Sequence, residues 1–556
     1  MKNCYFSIRI KPFVCLSSLL YVLCFNSPLY ADDGYEIQQL TETEPCILNL
    51  YPAVSGNRVV FYRFDECRGF NRGNLMVKLL DTGEEYLLFA QDFTWDHNVV
   101  DLEISGDHVV WVDSRTQVFY QPNNPSAEPL VTNDIYLFNL TTGEERRLTE
   151  DYENLYSNPD GELNGIPASI SPDIQGNWVV WKDSTHRFGC YDRIFSGINL
   201  YNIEKGEKIR IVEDEQNPPT NECRIFSDGY CVGQVRTYNY APVVDNNKVY
   251  WIQKVETVVS GVLPDDFDVY YVLKMFDISL GTTTDIRKWT KDEIRQMYDP
   301  NNTINDEDLY VDDQNTELGR PDALKTMDVS GNKVIFQIAS DLHSHTDIYL
   351  YDMKTGKEKL IRDENLSGRC AFLRDIYRRC KPMKFVILDG NFVVWHGSEL
   401  SPSATDNILL YDIANDKTTQ ITSGNIFQFL PKMSEGKIVW IGAGTKGSTF
   451  LYADWEIFLT EVQIPEPSFR RGDVNIDEKV NIADAIFILS YYLKNQPSPD
   501  CLDSADTNDD GQINSEDAKV LLSYLFAQGA SLPAPFQSCG VDPTGDNLMC
   551  RISNCQ

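Results

Sequence analysis

The chain has 556 residues, too many for one ordinary domain, and its 42% hydrophobic content is ample for a packed core, which excludes wholesale disorder. A formal net charge of −34 argues against nucleic acid and anionic membrane surfaces as partners. It leaves either a solvated acidic surface or carboxylates used to hold cations.

The first 31 residues read as a secretory signal. Lys2, Arg9 and Lys11 form a basic start, Phe13 to Phe25 is an apolar run, and Leu29-Tyr30-Ala31 precedes Asp32-Asp33. The run is too short to span a membrane, no later stretch is a candidate, and Leu23 before Cys24 does not suit a lipoprotein. The expectation is an exported bacterial protein with no membrane span. Loss of the leader would take three basic residues and leave −37. Three of the 14 cysteines fall in it; the other 11 suit an oxidising compartment. Cys370 and Cys380 flank one connection and could clip it; the remaining pairings cannot be read from spacing.

From residue 54 a phrase recurs. It is "VSGNRVVF" at Val54, "ISGDHVVW" at Ile104, "IQGNWVVW" at Ile174, "VDNNKVYW" at Val244, "VSGNKVIF" at Val329, "LDGNFVVW" at Leu388 and "SEGKIVW" at Ser434. A second phrase follows it, as in "DIYLFNLTTGEERRLT" from Asp134. Both are β-branched and aromatic, alternate with period two and break at Gly and Asn turns, so each unit predicts four short strands. Seven such units predict a mostly β fold, a seven-bladed β-propeller, over residues 32–463. The last unit lacks its fourth strand, and "IQQLT" (Ile37 to Thr41) matches "RRLT". The N-terminal strand is therefore expected to complete the last blade. The repeat resembles TolB-like propellers over roughly residues 35–463, a likeness that speaks for fold and little for function.

Turns between strands one and two and between three and four are short and share a face. The other connections share the opposite face. The turn glycines stand at 56, 106, 176, 331, 390 and 436, with Asn246 in the fourth unit, giving gaps of 50, 70, 70, 85, 59 and 46. A blade needs about 40–45 residues, so insertions crowd units two to four. The segments from Asp113, His186, Glu222 and Arg287 would build up that face, the last with a short helix. Their Tyr, Phe, Arg, Asn and Asp suit recognition of sugars or peptides. No G-x-S-x-G, HExxH or P-loop occurs, so no catalytic residue is assigned. His343 and His345 with Asp341 or Asp347, and His396 after "FVVW", are weak alternatives to ordinary polar positions.

After a short Pro-bearing linker (464–470), residues 471–556 carry "GDVNIDEKVNIADA" and "ADTNDDGQINSEDA", nearly the same polar loop twice. A 12-residue loop can offer Ca²⁺ oxygen ligands at positions 1, 3, 5, 7, 9 and 12. The first loop supplies Asp473, Asn475, Asp477, the Lys479 carbonyl, Asn481 and Asp484. The second supplies Asp506, Asn508, Asp510, the Gln512 carbonyl, Asn514 and Asp517. Val480 and Ile513 at position 8 can tie the loops together, and each loop runs into an apolar helix.

Residues 471 to about 526 resemble a dockerin domain, with Asp at position 12 and a helix after each loop. The resemblance implies two Ca²⁺ ions and a cohesin-like or other extracellular protein partner. Position 6 of the first loop is Glu478 where the pattern prefers Gly, so that site is expected to be the weaker. Positions 10 and 11, Ile482-Ala483 and Ser515-Glu516, differ from the Ser-Thr-like pairs of cellulosomal forms and point away from a cellulosome-type cohesin.

The leading expectation is a secreted calcium-binding protein. Its propeller would recognise a glycan or protein, and its tail would anchor or assemble it. The rivals are a polysaccharide lyase or glycosidase working on the insertion-rich face, and a structural spacer.

Overall fold

A computed structural model describes the strands and tight turns of residues 35–463, most of 468–550, and Leu29, Tyr30 and Cys555. Residues 1–28, and stretches including 66–71, 93–100, 120–129, 150–165, 187–192, 213–234, 259–266, 299–323, 363–385, 398–406 and 444–454, lie outside the described residues. So do most of the inserted segments, His343 and the Cys370–Cys380 clip.

Seven antiparallel sheets follow one another along the chain as the blades of a propeller. Blade one, for example, pairs Ile47–Ser55, Arg58–Asp65, Arg72–Leu79 and Glu85–Asp92 in sequence order. The aromatic ending the recurrent phrase is the core residue of each blade. Phe61, Trp111, Trp181, Trp251, Phe336, Trp395 and Trp440 are all buried, none more than 1% exposed. Alternation puts the valines of "VVW" on both faces of a blade, and all are buried because each blade is covered by its neighbours.

The phrase's opening residues order the blades. The side chain just before each turn accepts a hydrogen bond from the first turn N–H of the next blade. Gly106 N donates to Ser55 Oγ (3.0 Å), Gly176 N to Ser105 Oγ (3.0 Å) and Asn246 N to Gln175 Oε1 (2.7 Å). Gly331 N donates to Asp245 Oδ2 (2.8 Å), Gly390 N to Ser330 Oγ (3.0 Å) and Glu435 N to Asp389 Oδ2 (2.8 Å). These bonds stitch six consecutive junctions. Asn246 and Asn247 both take left-handed backbone (φ 46° and 59°), the pattern of a type I′ turn, so Asn replaces the expected Gly without loss of the hairpin.

The seventh junction closes by exchange. Residues Glu36–Gln39 pair with Trp455–Glu461 in register Gln38↔Leu459 and Gln39↔Phe458, so the N-terminal strand completes the last blade as expected. A two-residue strand, Leu29–Tyr30, extends that sheet's edge. The helix expected after Arg287 forms at Lys291–Tyr298; Glu293 accepts from Thr290 N (2.8 Å), and Ile294 is buried.

The tail is small and helical, with helices at Ile482–Tyr492, Leu502–Ala505 and Ser515–Phe526. Its core gathers Val474, Ala485, Ile488, Ala505, Ala518, Leu521, Leu532 and Phe536, with Val480 and Ile513 packed against it. Disulfides join Cys501 to Cys550 and Cys539 to Cys555. No helix among the described residues is long and apolar enough to cross a membrane.

Candidate functional site: twin tail loops and a polar propeller collar

The two tail loops fold as near copies. In the first, Asp473 at position 1 accepts Asp477 N through Oδ1 (3.0 Å) and Glu478 N through Oδ2 (3.0 Å). In the second, Asp506 accepts Asp510 N (3.1 Å) and Gly511 N (2.7 Å) in the same way. At position 5, Asp477 accepts Lys479 N (2.9 Å) and Asp510 accepts Gln512 N (3.0 Å). Position 3 meets position 5: Asn475 Nδ2 donates to Asp477 (3.2 Å) and Asn508 Nδ2 to Asp510 (2.9 Å).

Position 9 is the helix N-cap in both loops. Asn481 accepts Ala483 N and Asn514 accepts Glu516 N, each at 2.8 Å. Position 12 closes the capping box from the other side: Asp484 accepts Asn481 N and Asp517 accepts Asn514 N, again at 2.8 Å. Asp484 also accepts Val474 N (2.8 Å). The same carboxylate thus starts the helix and returns to the loop's beginning, which is why the loop and the helix after it share one repeat.

All twelve predicted ligand residues lie on these two loops, six in each. Asp473, Asp484, Asp506 and Asp517 are buried, whereas Asp477 and Asp510 face outward. Burial raises the pKa of Asp473, with Asp484 adding repulsion. It raises that of Asp484 too, against the backbone N–H groups that favour ionisation. Asp517 is pushed up to about 6 by burial, with Asp506 and Asp510 adding to the shift. Among the described residues no three carboxylate, imidazole or thiol side chains are gathered tightly enough to form a ready metal shell. The loop carboxylates turn onto backbone N–H groups instead. Four carboxylates taken out of water in one small module are costly unless a cation joins them, and hard oxygen donors suit Ca²⁺. The donor set therefore fits calcium.

Glu478 and Gly511, both at position 6, share left-handed backbone at φ 68° and 77°. The turn demanded by the motif is made in both loops, and in the first a glutamate makes it.

The propeller carries a second candidate. Strand two of each blade runs from the tight turns towards the insertion-rich face, and there polar residues pair across strands one and two. Arg63 Nε donates to Asn49 Oδ1 (2.9 Å), Ser169 Oγ to Asp183 Oδ1 (2.7 Å), Gln253 Nε2 to Asn239 Oδ1 (3.1 Å) and Thr326 Oγ1 to Gln337 Oε1 (2.6 Å). The core tryptophans donate into this collar: Trp181 Nε1 to Asp183 (3.0 Å) and Trp251 Nε1 to Asn239 (3.1 Å). Blades three and four bury charge beside it. Lys254 pairs with Glu256 at 2.6 Å, both about 5% exposed or less, and Lys182 Nζ lies over the Tyr240 ring at 5.3 Å. Sequence reading missed this collar. Its signal was the polar residue two places after the aromatic in "FYR", "WVD", "WKD" and "WIQ". Of the weak histidine candidates, His345 opens the strand His345–Asp352 and His396 is half-buried within Phe392–Gly397.

Fold and loops together define a seven-bladed β-propeller with an appended helical module of two duplicated polar loops. A dockerin type I domain is present at residues 471–526, where the model of that family matches. No curated protein matches the chain. Among solved structures it is similar to the β-propeller domain of the trilobed protease from Pyrococcus furiosus, at 11% identity and TM-score 0.39 over 74% of this chain and 95% of that one. It is similar to an oligogalacturonate lyase from Vibrio parahaemolyticus, at 10% identity and TM-score 0.41 over 78% and 95%. An acylaminoacyl peptidase from Pyrococcus horikoshii aligns at 11% identity and TM-score 0.40 over 74% of this chain but only 51% of that one, so the chain spans about half of that relative.

Proposed function

We propose that the protein is an exported, calcium-binding recognition protein, in which the tail docks onto an extracellular protein partner and the propeller binds a glycan or protein. The observation that carries this reading is the duplicated loop. Positions 1, 3, 5 and 9 recur with the same hydrogen bonds, and four carboxylates are buried, with the pKa of Asp473, Asp484 and Asp517 raised, an arrangement that a divalent cation would relieve. Asp473, Asn475, Asp477, the Lys479 carbonyl, Asn481 and Asp484 would hold one Ca²⁺. Asp506, Asn508, Asp510, the Gln512 carbonyl, Asn514 and Asp517 would hold the other. The ion supplies positive charge that joins the start of each loop to the start of its helix.

The test uses the full chain and its Asp477→Ala/Asp510→Ala variant as bait for secreted and envelope proteins, with Ca²⁺ and with chelator. Retention of one partner by the wild type only with Ca²⁺, and not by the variant, supports docking. Calcium-independent retention, or none, counts against it.

A polysaccharide lyase or glycosidase is the second reading, favoured by the buried Lys254–Glu256 pair and Lys182 beneath the insertion-rich face. Incubation with acidic polysaccharides, followed by reducing-end and unsaturated-uronide assays, distinguishes it. Product formation that Lys254→Met abolishes in a folded protein would favour it over simple binding.

A further inference from the structure

We propose that Arg471 and the segment Leu532–Thr544 form a clamp that sets the calcium affinity of the second loop and leaves the first alone. The inference rests on the calcium reading of the loops.

Arg471 precedes the first loop, yet its side chain serves the second. It is fully buried, and its guanidinium is saturated with acceptors. Nε donates to the Ala534 carbonyl (3.1 Å), and Nη1 to the carbonyls of Asp503 (3.2 Å) and Asp506. Nη2 donates to Asp509 Oδ1 (2.9 Å) and Asp542 Oδ1 (2.8 Å). The group stacks over Phe469 at 5.4 Å. Asp506 is position 1 of the second loop, so the residue that supplies the first ligand is fixed through its own carbonyl. Asp509 is position 4, where the backbone is left-handed (φ 62°), and its carboxylate is bound by Arg471 and by Thr544 Oγ1 (2.6 Å). The loop's turn is thereby held from outside by a fixed cation.

The C-terminal segment holds that cation in place. Arg471 N donates to Pro535 O (2.6 Å), and Phe469 and Gly540 exchange two backbone hydrogen bonds (2.8 and 3.1 Å). Leu532 and Phe536 enter the module's core, and Cys501–Cys550 ties the segment to the helix just before the second loop. The first loop has no counterpart. Position 4 there is Ile476, a side chain without charge; Arg470 donates its Nε to the Phe536 carbonyl (3.0 Å) and meets the first loop at the Glu478 carbonyl, at 3.5 Å and exposed, with no loop carboxylate bound among the described residues. A buried guanidinium that loses one of its two carboxylates is left with Asp509 alone to offset its charge. The loop it positions should loosen in turn, as when groups outside a metal's ligand shell are removed, typically at a cost of about 10–100-fold in affinity.

The test isolates each site in the full chain: Asp477→Ala leaves the second loop, Asp510→Ala leaves the first. Asp542→Asn is then added to each and Ca²⁺ affinity is read by calorimetry. This isosteric change sits at the rim of the clamp, whereas loss of the fully buried Arg471 could unfold the module. About tenfold weaker binding in the first background, with less than twofold change in the second, is expected. Hydrogen exchange over residues 506–512 of the metal-free Asp542→Asn chain should also quicken. Unchanged affinity in both backgrounds, or an equal loss in both, would overturn the clamp. A wild type that binds no Ca²⁺ would overturn the calcium reading itself and the clamp with it, a result distinct from two bound ions indifferent to Asp542.

Discussion

Glu478 sets two effects against each other at one residue. A side chain held at φ 68° costs about 1–2 kcal/mol relative to glycine, whose counterpart Gly511 makes the same turn in the second loop. The carboxylate, however, adds negative charge near the proposed cation site. If the loop orders only when calcium binds, the strain is charged against affinity. Glu478→Gly in the Asp510→Ala background should then tighten the first site by about fivefold, the equivalent of about 1 kcal/mol. Titration calorimetry checks it. Weaker binding would mean that the Glu478 charge outweighs the strain.

At the scale of elements, the ring is closed by a strand from the far end of the chain, and side chains show that it is a true replacement. In blade two, Leu148 N donates to Ile135 O (2.8 Å), Ile135 N to Thr149 Oγ1 (3.0 Å) and Thr149 Oγ1 to Asp134 (2.8 Å). In blade six, Ile421 N donates to Ile408 O and Ile408 N to Thr422 Oγ1 (2.9 Å). Blade seven repeats the pattern across the chain: Leu40 N to Ile457 O (2.8 Å), Ile457 N to Thr41 Oγ1 (2.9 Å) and Thr41 Oγ1 to Glu456 (2.5 Å). Asn49 of blade one joins Glu456 at 2.9 Å. Glu456→Ala leaves two buried donors without this acceptor, at about 1–3 kcal/mol each. Its thermal midpoint should fall by several degrees, while Glu461→Ala at the exposed strand end stays at the wild-type value. Equal midpoints would mean that the seam does not depend on this network.

The strands, the turns and this closure were legible because each is written in local pattern: period-two alternation, left-handed turn residues and the "LT" ending. The stitching of blade to blade was not. It depends on which neighbour a serine, aspartate or glutamine faces, and that is fixed only when the ring assembles. Arg471 was opaque for a related reason. One of two adjacent arginines before a loop gives no hint that its partners lie 38 and 71 residues further on. The duplicated loops and the helix starts after them were legible because their polar spacing is local.

For the whole molecule, 83 acidic residues against 49 basic ones make the response to pH and calcium one question. Asp517 has its pKa raised to about 6, chiefly by burial, and Asp473 and Asp484 are shifted in the same direction. A carboxyl raised in the folded state binds protons more tightly there than in the unfolded chain. The metal-free tail is therefore helped by protonation, and that help is lost as pH rises from the unfolded value of 3.8 through about 6. A calcium-bound tail would run the other way, because the ion would have to displace those protons. With chelator, hydrogen exchange across the second loop and its helix, corrected for intrinsic rate, should slow as pH falls from about 7 to about 5. Over the same interval the second site's calcium affinity should drop about tenfold, as one proton with a pKa near 6 competes. If acid instead loosened the metal-free tail, the buried carboxylates would have to be stabilised as anions by the fold itself. Calcium would then be a passenger on an already stable module, and not the charge that completes it.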